Sequence, residues 1–131
     1  MGKILIVDDD KSFSQLLKKY IKESYPILDV HICSDPVRAL SFIRKGDLDL
    51  LLVDYEMPVM DGEKVANYAR QVGIDKSRII ILSSRDADYL HDHFPLGTCL
   101  AVMNKYEAGQ KAVLDMIFSS MQRKASVRCC G

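Results

Sequence analysis

The chain has 131 residues, 48% of them hydrophobic and 27% charged, which suits one domain whose core needs no disulfide staples. Lys+Arg 18 balances Asp+Glu 18, so bulk charge argues against a direct nucleic-acid ligand, and no apolar run approaches the ~20 residues that cross a bilayer. The opening MGKILIVDDD has neither the flanks nor the cleavage site of a signal peptide, so the expected location is cytoplasmic.

KILIV (3–7) is a continuous apolar run of the kind buried on both faces of a parallel sheet, and predicts the first strand. Phe13, Leu16, Leu17, Tyr20 and Ile21 then repeat with the period of an amphipathic helix. ILDVHIC (27–33) predicts a second strand. SDP (34–36) offers a helix cap with proline near the first helical position; Val37, Leu40 and Ile43 supply the inward stripe, and Gly46 the stop. LDLLLVD (48–54) and RIIIL (78–82) are the third and fourth strands. Between them MPVMDG (57–62) is loop chemistry, and 63–72 is helical with Val65, Ala69 and Val72 inward and Gly73 as stop.

SRDADYLHDHFPLG (84–97) is a weakly specified helix anchored by Leu90 and Phe94 and stopped by Pro95, with His91 and His93 on a solvated face. TCLAVMN (98–104) predicts a fifth strand. The last helix covers about 107–123, with Val113, Met116, Ile117 and Ser120 inward, while Leu114, Phe118 and Met121 widen the apolar arc towards a contact surface. The domain is therefore expected over 1–123, with 124–131 a flexible tail. Cys33 and Cys99 read as small core hydrophobes, and Cys129 and Cys130 lack metal-binding partners. Repeated strand–helix units predict an α/β fold: a doubly wound, five-stranded parallel sheet of (βα)5 type.

In such folds ligands gather at the carboxyl ends of the strands. Strand one ends in Asp8, Asp9 and Asp10, strand three in Asp54, strand four in Ser83, and strand five just before Lys105. Clustered carboxylates repel unless a cation sits among them, and an all-oxygen set with room for water suits Mg2+. A carboxylate can attack phosphorus to give an aspartyl phosphate. A hydroxyl and an ammonium then neutralise the phosphoryl oxygens in the loose transition state.

ILIVDDD, LLLVDYEMPVMDG, IIILSS and Lys105 resemble the receiver domain of two-component response regulators, a similarity that runs over about residues 2–122. The resemblance implies a flavodoxin-like fold with Asp54 as phosphoacceptor, Ser83 as switch hydroxyl and Lys105 as the family's lysine. It implies Mg2+ held by Asp8, Asp9, Asp54 and the backbone carbonyl of Glu56. The implied phosphoryl donor is a sensor histidine kinase or a phosphotransfer protein. A downstream protein, or a second copy in a homodimer, would dock on the face formed by the fourth helix, fifth strand and fifth helix. Such a domain accepts a phosphoryl group and is not otherwise an enzyme, beyond any catalysis of its own dephosphorylation. Glu56 and Arg85 occupy positions that flank the path of the attacking water, and a salt bridge between them would lengthen the phosphoryl lifetime.

Two positions depart from the family. Tyr106 follows Lys105 where proline in a cis peptide is usual; a non-proline cis bond costs roughly 2.5–4 kcal/mol, so a trans bond is expected. Val102 stands where many receivers carry an aromatic ring, so the response must pass through the helix after strand four or be weak. The few residues after 123 are not expected to hold a helix-turn-helix module, so the expectation is a stand-alone receiver or one cut from a longer protein, with protein–protein signalling as the readout. Two alternatives are a haloacid-dehalogenase-like phosphatase, with Asp54 as nucleophile and Glu56 in the general-acid place, and a phosphorylation-independent pseudo-receiver scaffold.

Overall fold

The computed structural model of the chain describes residues 2–84, 89, 101–105 and 108–130. The Ile-, Leu- and Val-rich runs form β1 (Lys3–Val7), β2 (Asp29–Cys33), β3 (Leu50–Asp54), β4 (Ile79–Ser83) and β5 (Ala101–Asn104). All pair in parallel in the order β2-β1-β3-β4-β5, as the α/β reading requires. The described helices are α1 (Lys11–Ser24), α2 (Pro36–Arg44), α3 (Gly62–Gln71) and a C-terminal helix, Ala108–Cys130. The predicted helix over 84–97 lies outside the described residues apart from Ser84 and Tyr89, as do Arg85, Cys99 and Tyr106.

Alternation along each strand divides the core in two. Leu5, Val7, Leu51, Val53, Ile79 and Ile81 pack with Ala39 and Ile43 of α2 and Val65, Ala66 and Ala69 of α3. Ile4, Ile6, Leu50, Leu52, Ile80, Leu82 and Met103 pack on the other side with Ile21 of α1 and Leu114 and Phe118 of the C-terminal helix. β1 and β3 are neighbours whose following chains leave for opposite edges of the sheet, so the topological switch point lies between their ends.

The helix faces differ from the sequence reading in detail. On α1 Leu16 is 69% exposed, while Ser14 is buried and satisfied by donating to the Asp10 carbonyl at 2.8 Å. On α2 Pro36, Ala39 and Ile43 face inward and Val37 is 50% exposed, because the Asp35 cap with Pro36 at the first turn sets the rotation of the helix. Val72 is outside because α3 ends at Gln71 and Val72 is its cap.

The largest change is in the C-terminal helix. Leu114 and Phe118 are buried, and Val113 and Met116 are exposed. Both sets have helical spacing, so a tertiary contact decides between them. Asp115 accepts from the hydroxyls of Tyr20 and Tyr25, which fixes the helix's rotation against α1. The helix also continues past residue 123 to Cys130, so the sequence-based boundary falls inside it.

Candidate functional site

Asp8 follows the last residue of β1, and Asp54 is the last residue of β3. Because Val7 is in register with Val53, the two carboxylates sit side by side at the switch point. Both are buried, Asp54 only 3% exposed. Lys105, just past β5, reaches back across the sheet edge. Its backbone N–H donates to the Ser83 carbonyl at 2.8 Å, which anchors the residue. Its Nζ lies 2.7 Å from Asp8 Oδ2 and 3.2 Å from Asp54 Oδ1. The ring of Phe13, from the first turn of α1, covers the ammonium at 4.8 Å.

Asp9 and Asp10 share the turn into α1 but do different things. Asp10 is the N-cap: its Oδ1 accepts from the Phe13 N–H at 3.1 Å, and its own N–H donates to Asp8 Oδ1 at 2.9 Å. Asp9 is exposed, with a carboxylate oxygen in the same cluster as Asp8 and Asp54, all within 4.8 Å of one another. Three carboxylate oxygens at this spacing suit one small, hard cation such as Mg2+. The fit is supported from within the protein: Asp8 Oδ2 and Asp54 Oδ1 are closed to solvent and, beyond the Lys105 ammonium, meet no hydrogen-bond donor among the described residues.

The electrostatics follow from this crowding. Burial, then the neighbouring Asp8 charge, pushes the Asp54 carboxyl up to about 7, against the pull of Lys105; Glu56 adds to the rise. Burial alone would lower the Lys105 ammonium, but the hydrogen bond with Asp8 and the charges of Asp54 and Asp8 outweigh it and hold it above its ordinary value.

Ser83, the last residue of β4, is buried and donates its hydroxyl to Glu56 Oε1 at 2.5 Å. Glu56 Oε2 receives a longer contact, 3.4 Å, from the Ser84 N–H. The loop after β3 returns tightly over the strand end. Gly62 donates to the Tyr55 carbonyl at 3.0 Å, and a Cβ on it would lie 2.3 Å from the Asp54 carbonyl oxygen. Val59, at the loop's tip, has φ 71 and is almost fully exposed.

The structure thus brings together Asp8, Asp9, Asp54 and Lys105, with Ser83 and Glu56 adjoining. Sequence reasoning missed three contacts. Periodicity places Phe13 only on the core face of α1; Glu56 reads as a carbonyl ligand, a partner of Arg85 or the general acid of the phosphatase alternative, never as a partner of Ser83; and the close approach at Gly62 has no signal beyond the residue's identity.

The model of the response regulator receiver domain matches residues 4–107. The cyclic di-GMP phosphodiesterase response regulator RpfG of Xanthomonas campestris pv. campestris is 42% identical over 79 residues, covering 60% of this chain and 21% of that protein. The response regulator MprA of Mycobacterium avium is 32% identical over 114 residues, covering 77% of this chain and 49% of that one. The chain therefore spans about half the length of the second and a fifth of the first. Among solved structures, response regulator TrrA of Thermotoga maritima in complex with Mg(2+)-BeF superposes with a TM-score of 0.76 at 24% identity, covering 92% of this chain and 99% of that one. The BeF3-activated N-terminal receiver domain of Klebsiella pneumoniae RstA gives 0.75 at 26%, covering 92% and 98%.

Proposed function

The chain belongs to the response regulator receiver domain family, and on that footing we propose that it is a phosphoryl acceptor of two-component signalling with Asp54 as the acceptor residue. The observation that carries this reading is the environment of Asp54: a buried carboxylate at a strand end, beside a second buried carboxylate, with an ammonium at 3.2 Å. Buried carboxylates held beside one another and an ammonium at a strand-end cleft are the arrangement in which functional sites concentrate.

In the transfer, one Asp54 carboxylate oxygen forms a bond to phosphorus as the P–N bond of a donor phosphohistidine breaks, leaving the imidazole on the donor. Lys105, already aimed at Asp54, neutralises charge on one phosphoryl oxygen. Ser83 offers its hydroxyl to another. Asp8, Asp9 and Asp54, with the Glu56 backbone carbonyl, would hold Mg2+, which when bound supplies the positive charge that lets carboxylates and phosphoryl oxygens share the site. The ring of Phe13, 4.8 Å from the Lys105 ammonium, helps hold that charge over Asp54.

The donor in this reading is a sensor histidine kinase or phosphotransfer protein, and the altered surface around β5 and the C-terminal helix engages a downstream protein or a second copy. No described helix is long and apolar enough to cross a membrane, and a cytoplasmic setting is part of the proposal. The family match leaves the phosphatase alternative without support. Incubation with acetyl phosphate and Mg2+ should add one phosphoryl mass to the protein, and Asp54→Asn should abolish the addition. A mass gain on the Asn variant, or none on the wild type, overturns the assignment.

A further inference from the structure

The Glu56 side chain makes a contact for which the transfer chemistry has no use. Its two oxygens occupy the Ser83 hydroxyl at 2.5 Å and, more loosely, the Ser84 backbone N–H at 3.4 Å. A serine hydroxyl has one proton to donate. While Glu56 holds that proton, an oxygen of a phosphoryl group on Asp54 cannot have it. Ser83 is wholly buried, so the bond is little weakened by water, and a carboxylate acceptor makes it stronger than a neutral pair. The carboxylate stands on an O–H and an N–H from consecutive residues at the end of β4, the kinds of donor that phosphoryl oxygens take. Its charge also reaches Asp54.

We propose that Glu56 is a positioning residue that clasps Ser83 in the resting state, and that its carboxylate must release the hydroxyl before a phosphoryl group on Asp54 can engage it. This rests on the reading of Asp54 as acceptor. The exchange is one hydrogen-bond acceptor for another, with no covalent change at Glu56. Two consequences follow. The strength of the clasp is subtracted from the affinity of the site for a phosphoryl group. The end of β4 is also held in one arrangement until that group arrives, which makes the exchange the first event on the path from Asp54 to the segment after Ser84.

The test is a double-mutant cycle on the full chain, with beryllofluoride in Mg2+ as the probe and its binding measured by calorimetry. Glu56→Ala should bind the probe roughly tenfold more tightly than wild type, as loss of one charge-assisted competitor predicts. In a Ser83→Ala background the same change should yield almost none of that gain, because the hydroxyl at issue is absent. Glu56→Gln, which keeps an acceptor but not the charge, should fall between and controls for folding. An unchanged or weaker affinity in Glu56→Ala overturns the clasp. So does an equal gain with and without Ser83, which would mark a general effect of removing an anion. Wild type that binds the probe while Asp54→Asn does not shows the acceptor reading intact even if the clasp fails. Equal failure of both to bind sinks that reading and the clasp with it.

Discussion

Asp54 and Lys105 set opposite constraints on the same buried site, and both can be read in stability measurements without any phosphoryl donor. The Asp54 carboxyl is raised to about 7 in the folded, metal-free protein, against 3.8 as its ordinary value. The folded state therefore binds the proton more tightly than the unfolded one. The stability this contributes is fully present below about pH 4 and is lost as pH rises through 7. Asp54→Asn removes the dependence. Without Mg2+, the variant should be more stable than wild type at pH 8 by on the order of 2 kcal/mol, and the difference should vanish near pH 4. Urea midpoints at the two pH values check this, and a constant difference would count against it. Adding Mg2+ at pH 8 should stabilise wild type and leave the Asn variant nearly unmoved. Lys105→Met exposes the reverse side of the arrangement. It leaves Asp8 and Asp54 buried without their counter-charge, at a cost of about 3 kcal/mol at neutral pH. That loss should shrink in the Lys105→Met, Asp54→Asn double variant, where only one buried charge remains.

At the scale of elements, the strands were legible because a continuous apolar run has few other homes. The sequence placed β1 at 3–7, where it is observed, and began β2 and β3 two residues early. The ends of those runs, where polarity returns abruptly at Asp8, Asp54 and Ser83, were legible for the same reason. The helix faces were not, since Val113 and Leu114 both begin stripes of acceptable spacing and only the tyrosine hydroxyls on Asp115 choose between them. The side chain of Glu56 was equally hidden, because its partner lies 27 residues away across the sheet. The loop 55–62 shows how an element end serves the site. Gly62 packs so closely on β3 that Gly62→Ala must push the backbone of Asp54 or Tyr55 aside. The expected loss is about 1–3 kcal/mol, and, with Asp54 as a proposed Mg2+ ligand, weaker Mg2+ binding should accompany it. Val59 works in the other direction: its positive φ is strained for a β-branched side chain that buries almost nothing. Val59→Gly should be neutral or stabilising by up to about 1 kcal/mol, and a clear loss of stability would show that the loop needs its rigidity more than it suffers from the strain.

For the whole molecule, a sheet covered on both sides splits the stabilising contacts into two cores while leaving the site at their common edge. The core shared by α1 and the C-terminal helix depends on few large side chains from that helix, Leu114 and Phe118 above all. Phe118 is fully buried and meets the ring of Tyr25 at 5.6 Å, so Phe118→Ala empties a space in the core on the α1 side of the sheet. Such truncations cost about 3–5 kcal/mol, a large share of a domain's typical 5–15 kcal/mol. Met116, two residues earlier and 72% exposed, should tolerate Ala within about 0.5 kcal/mol. The sequence pattern alone assigned Met116 to the inward stripe and Phe118 to its margin. Denaturation of the two variants therefore decides between the stripe that periodicity suggests and the one the Tyr20–Asp115–Tyr25 contact selects. A larger loss at Met116 than at Phe118 would mean that the helix is rotated from the position described, and with it the surface that flanks β5.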